Sequence, residues 1–162
     1  MQLLRRLTVP VTLPHWRQDV LLAMPRLVCG YFMAFDFGAQ KFGMPWSDPD
    51  LNLGFFEIAF WFPNDVAQFG EPFALFPAFF AWMGGFSEAV GGLLLLAGLQ
   101  TRIASLLICS TMLVAAFFQQ MQNGYWSMLP ALGFSFVTLY TMVLGSGRFG
   151  IDYLLTKRNK KS

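Results

Sequence analysis

The residues able to do chemistry are few, and most of them stand where a charge is costly. Arg26, Asp36, Lys41, Glu88 and Arg102 lie within or beside long apolar runs. A charge at the centre of a membrane helix costs about 2.5 to 3.5 kcal/mol on the insertion scale, so each demands a partner or a wet cavity. Helical spacing gathers Arg26, Cys29, Met33, Asp36 and Gln40 on one face, and Gly84, Glu88, Gly91 and Gly98 on a second. A third holds Arg102, Ser105, Cys109, Met112, Ala116 and Gln119, and a fourth Thr138, Thr141, Gly145 and Arg148. With a rise of ~1.5 Å per residue, Arg26 lies ~9 Å from the cytoplasmic end, Glu88 ~16 Å and Asp36 ~24 Å. These depths predict an Arg26–Glu88 ion pair, with Lys41, Gln119 or Gln120 serving Asp36. Such a network either locks helix register or builds a ligand site or proton path.

Cys29 and Cys109 fall at matched depths, which leaves two readings open, an intramembrane thiol pair or small packing residues. The single His15 precedes the first apolar run, so paired intramembrane histidines cannot hold a haem. Zinc, iron–sulfur and nucleotide motifs are missing from the sequence, so no metal is expected and no cofactor is evident from the motifs. A net charge of +2 points to no nucleic-acid partner.

The elements that position these residues follow from composition. With 162 residues, 56% hydrophobic and 12% charged, the chain has more apolar surface than one soluble core could hide. A span needs about 20 apolar residues. Four fit, at residues 20–42, 73–99, 102–121 and 128–145, the second starting anywhere between Phe73 and Ala81. The expected fold is all-α, a polytopic membrane four-helix bundle with polar seams turned inward. Its parts are an N-terminal segment, 1–19, a transmembrane domain, 20–146, with an outer loop, 43–72, and a basic tail, 147–162.

Charge sets the expected orientation. Arg5, Arg6 and Arg17, Arg102, and Lys157, Arg158, Lys160 and Lys161 mark cytoplasmic segments. The loop between the first two spans carries Asp48, Asp50, Glu57, Asp65 and Glu71 and should face outward. Both termini are therefore expected in the cytoplasm, with the chain in the cell (inner, cytoplasmic) membrane. Pro10 and Pro14 interrupt the first apolar stretch, so the first span reads as an uncleaved anchor. Phe55-Phe56 and Phe60-Trp61-Phe62, before a turn at Pro63-Asn64-Asp65, suggest a short interfacial helix, with Trp46, Trp82 and Trp126 in the same outer belt.

Three stretches resemble a known family. Arg26, Gly30, Gly38 and Lys41 look like the opening pattern of DoxX-like membrane proteins. The run from Glu88 through Gly91, Gly92 and Gly98 to Arg102 is similar to that family's most distinctive stretch. Gly145-Ser146-Gly147-Arg148-Phe149-Gly150-Ile151-Asp152 resembles its closing signature. The likeness covers about residues 21–155. The long aromatic loop, Asp36, and Gln119-Gln120 in place of a histidine depart from the pattern. The resemblance implies a four-helix partner of redox machinery, including quinone-linked oxidation of sulfur compounds.

Two functions are expected from these readings. The first is a membrane subunit of an oxidoreductase assembly, with catalysis on this chain left open, whose interior pocket takes a quinone or another small amphiphile. The second is an anchor or assembly factor that binds a protein partner through loop residues 53–62.

Overall fold

The computed structural model describes residues 8–158. Arg5, Arg6, Lys160 and Lys161, expected to mark the cytoplasmic side, lie outside them. Four helices are long and apolar enough to cross a bilayer: α1 (Trp16–Phe37), α3 (Pro77–Ala97), α4 (Thr101–Asn123) and α5 (Tyr125–Leu144). The short α2 (Phe62–Ala67) lies in the loop before α3, and α6 (Ile151–Arg158) follows α5. No strand occurs among the described residues, only an isolated bridge between Phe42 and Ile58.

The spans close into a ring in which α1 packs on α3 and α5, and α4 packs on the same two helices. Outward faces carry Leu21, Val28 and Tyr31 on α1, Leu106 and Phe117 on α4, and Phe136 and Val143 on α5, all exposed. Large exposed apolar side chains around every helix are what an acyl-chain solvent favours.

The α1–α3 contact is backbone against backbone. A methyl group at Gly30 would sit 2.6 Å from Leu96 N, one at Gly38 2.6 Å from Ala89 Cα, and one at Gly92 2.6 Å from Ala34 N. Small residues permit this approach, and dispersion rewards it where the hydrophobic effect does not act. The α4–α5 contact uses hydroxyls instead: Ser105 Oγ and Thr141 Oγ1 lie 2.8 Å apart, with Ser135 and Thr138 buried beside them. The last two each donate to a carbonyl one turn earlier, which leaves no donor idle in the seam.

The first and fourth spans begin at Trp16 and Tyr125, four and three residues earlier than expected, and two other differences have a local cause. The first span ends at Phe37, five residues short of Phe42. The chain leaves the helix at Gly38, whose carbonyl accepts from the backbone N–H groups of both Lys41 and Phe42, and Phe42 then turns to pair with Ile58. The loop helix begins at Phe62, where a turn was expected, because Pro63 sits in its first turn. A fixed φ and a missing N–H suit that position. Phe55 and Phe56 are instead in a turn, with Phe56 at φ +63°.

At one end of the bundle, here the termini end, the flanking segments are tied to the α3–α4 turn. Gly98 takes a left-handed φ of +67° to close that turn, and a side chain there would meet Gly150 Cα at 2.6 Å. Asp152 accepts from the backbone N–H groups of Gln100 and Thr101 (2.9 and 3.0 Å) and from the Thr101 hydroxyl (2.9 Å), capping α4 from α6. Nearby, Arg148 Nε pairs with Asp19 Oδ2 at 2.9 Å and its Nη2 donates to Leu13 O at 2.6 Å.

Candidate functional site

Each of three spans contains one π-helical turn: Met33–Phe37 in α1, Ser87–Gly91 in α3 and Ala115–Gln120 in α4. Such turns concentrate at functional sites. The first packs on the second, and the second and third border one cavity of about 250 Å³ between α3 and α4.

The cavity is mainly apolar. Phe80 and Met83 of α3 and Leu107 and Val114 of α4 form its sides, and Phe62 and Val66 of α2, with Phe69 and Phe73 after it, form its roof. Phe73 also stacks edge-on against Phe80 and Phe118, each at 5.0 Å between centroids, which fixes the roof to both walls. The open side runs along α4, where half-buried Leu107 and Val114 flank exposed Ser110. An exposed side chain midway along a spanning helix faces acyl chains, so the groove opens toward lipid.

One ion pair is set into this wall. Lys41 Nζ lies 2.9 Å from Glu88 Oε1 and 2.7 Å from Oε2, with side chains 17% and 3% exposed. The Phe62 ring covers the ammonium at 5.0 Å from its centroid, a cation–π contact strengthened by the loss of water. Ser87 also lines the cavity, and its hydroxyl is buried without a hydrogen-bond partner, at a cost of about 1 to 3 kcal/mol for such a group. Ser110, Thr111 and the exposed Gln119 of α4 add to the polar lining.

The expected Arg26–Glu88 pair is not formed. Arg26 donates from Nη1 to Leu95 O and, at 2.9 Å, to Leu96 O, and from Nη2 to Phe149 O at 2.8 Å. It thus caps the last carbonyls of α3 and ties them to the segment after α5. Side chains lean toward their helix N-terminus. On α1 that leads Arg26 toward the termini end, and on the oppositely running α3 it leads Glu88 away from there. Lys41 reaches Glu88 only because the chain leaves the helix at Gly38. Asp36 is served by none of Lys41, Gln119 and Gln120; it accepts from Gln40 Nε2 at 3.0 Å.

The remaining candidates are distributed along the bundle. Arg102 donates to Val9 O at 3.2 Å, at the termini end with Arg148 and Asp152. Gly91 sits against Ile108, and Gly92 and Gly98 mark the close approaches already described. Cys29 and Cys109 are buried free thiols, the latter 4.0 Å from Ser135 O. Among the described residues no group of three or more His, Cys, Asp and Glu side chains is placed to hold a metal ion.

Sequence reasoning missed Ser87, the roof and Asp19. The roof left a signal, since Phe62, Val66, Phe69 and Phe73 recur at intervals of four, three and four, a helical stripe. The stripe outlasts its helix, which stops at Ala67. Ser87 and Asp19 left none beyond their neighbours.

No curated protein and no solved structure matches the chain significantly. The DoxX family does, over residues 21–121, a stretch that contains most of α1, the roof, the Lys41–Glu88 pair, the α3–α4 turn and most of α4. With more than half of its length matched and its four spans in place, this chain belongs to the DoxX family.

Proposed function

We propose that this protein is the membrane subunit of a redox assembly and holds a quinone, or a similar ring-headed amphiphile, in the groove between α3 and α4. The observation that carries the reading is the Lys41–Glu88 pair in the wall of an apolar groove open to lipid. An ammonium donates to a quinone carbonyl, a carboxylate accepts from a quinol hydroxyl, and both forms of the ring fit between phenylalanines. An apolar cavity near 150 Å³ holds benzene, so about 250 Å³ suits one substituted ring with its tail left in the bilayer. Electrons would come from a partner protein, and no chemistry on this chain is required.

We place the termini end in the cytoplasm of a cell membrane, because Arg17, Arg102, Arg148, Lys157 and Arg158 gather there and acidic residues dominate the opposite loop. Phe60 and Phe55, 87% and 66% exposed on that loop, support a second reading in which the chain anchors a partner. Replacing these two rings by alanine tests it better than deleting residues 53–62, which would also remove Phe62 from the site.

The test of the first reading is binding of a decyl-tailed benzoquinone to the purified protein in lipid nanodiscs. Lys41→Met should weaken it tenfold or more, and Glu88→Gln should weaken the corresponding benzoquinol to the same extent, with helix content unchanged in both. Equal affinity in all three proteins would reject the groove as a quinone site.

A further inference from the structure

The spans contain nine serine and threonine hydroxyls, and eight have a partner. Thr101 donates to Asp152; Ser105 shares a bond with Thr141; Ser110, Thr111, Ser127, Ser135 and Thr138 donate to carbonyls three or four residues earlier, as Thr141 also does. Ser87 is the exception. It is 2% exposed, lines the groove, and opens the π turn of α3. Back-bonding to the preceding turn is the ordinary way for a helical serine to satisfy its hydroxyl in lipid. A hydroxyl that forgoes this beside a cavity is suited to a ligand atom.

We infer that Ser87 is the specificity-determining residue of the groove: its hydroxyl bonds one oxygen of a two-oxygen ring while the ion pair holds the other, through Lys41 when that oxygen is a carbonyl and through Glu88 when it is a hydroxyl. The inference rests on the reading of the groove given above and deepens it. On the α3 side of the groove the Ser87 hydroxyl and the ion pair place polar atoms at two points, which selects a ring oxygenated at two points over a ring oxygenated once. The singly oxygenated ring satisfies the ion pair and leaves Ser87 as it stands in the empty groove. The doubly oxygenated ring gains one neutral hydrogen bond, worth about three- to tenfold in affinity.

Two probes separate the possibilities, the decyl-tailed benzoquinone and 4-decylphenol, each titrated into nanodiscs with wild type, Ser87→Ala and Ser87→Thr. Ser87→Ala should weaken the benzoquinone three- to tenfold and leave the phenol unchanged, and Ser87→Thr, which keeps the hydroxyl, should restore the benzoquinone. Infrared spectra with 13C-labelled quinone carbonyls give a second readout. Wild type should shift both carbonyl bands to lower frequency, and Ser87→Ala should return one to its position in free lipid. Equal loss for both probes would make Ser87 a packing residue and overturn the inference. So would unchanged benzoquinone binding in Ser87→Ala while Lys41→Met still weakens it, an outcome that leaves the groove itself intact. Failure of wild type to bind either probe would sink both readings together.

Discussion

The wiring of the buried charges can be measured as a coupling energy. In a double-mutant cycle Glu88→Gln is combined first with Lys41→Met and then with Arg26→Met, and each protein is unfolded by a denaturing detergent in mixed micelles. Breaking one side of a buried ion pair costs about 3 to 5 kcal/mol in soluble proteins. Polar contacts between membrane helices average only about 0.6 kcal/mol, because an unfolded segment finds other partners in the bilayer. Lys41 makes two short contacts to Glu88 under the Phe62 ring yet keeps a 17% exposed side chain. We therefore expect about 2 kcal/mol of coupling between Lys41 and Glu88, intermediate between those limits. Arg26 bonds to Leu95 and Leu96, and seven residues of α3, ~10 Å of rise, separate Glu88 from Leu95. Its coupling to Glu88 should stay below about 0.5 kcal/mol, the usual scatter for sites without shared partners. Arg26→Met alone should still destabilise strongly, since three carbonyls lose a charged donor. Coupling of 1 kcal/mol or more between Arg26 and Glu88, or less than about 0.5 kcal/mol for the lysine pair, would refute the assignment.

Two further outcomes follow from packing and capping. Gly30→Ala should cost about 1 to 3 kcal/mol in the same unfolding assay, because its methyl would meet backbone atoms of α3 at 2.6 to 2.9 Å; Gly133→Ala, with nothing within 4 Å, should be neutral or stabilising by up to about 1 kcal/mol. Asp152→Ala should speed hydrogen exchange at the Gln100 and Thr101 amides and cost about 2 kcal/mol, with an unchanged exchange rate arguing against the cap.

The spans were legible in the sequence because bilayer thickness imposes a length that composition reveals directly. Their inward faces were legible for the same reason: Ser105, Cys109, Met112 and Ala116 fall on one side of α4, and all four are buried. Glu88, Lys41 and Gln119 could be named as candidates because charge and amides are rare in such helices. Pairing them correctly needed information that spacing does not contain. The direction in which side chains lean separates Arg26 from Glu88, and the departure of the chain at Gly38 brings Lys41 back over α3. The aromatic loop was read as an interfacial layer because phenylalanine clusters suit both that layer and a protein interior. Only the fold shows Phe62 and Val66 buried over the ion pair.

The neighbours of its two faces explain why a site lies on one side of α3 and not on the other. Gly85, Ala89 and Gly92 face α1 and its continuation, where Phe42, Gly38 and Ala34 fill the space that the small side chains leave. Backbone meets backbone at Ala89 and Gly92, the Phe42 ring fills the space at Gly85, and no ligand could enter. Gly84, Ser87 and Glu88 face the groove, where the nearest neighbours of Gly84 are side chains, the Phe62 ring at 3.5 Å and the Thr111 methyl at 3.8 Å. The same residue type thus closes one helix contact and leaves the other unfilled. A groove bounded by side chains can widen through rotamer changes, whereas the α1–α3 contact can open only by separating two helices. Binding energy is therefore best received on the α4 side, and Ser87 and Glu88 are the residues of α3 that place polar atoms there.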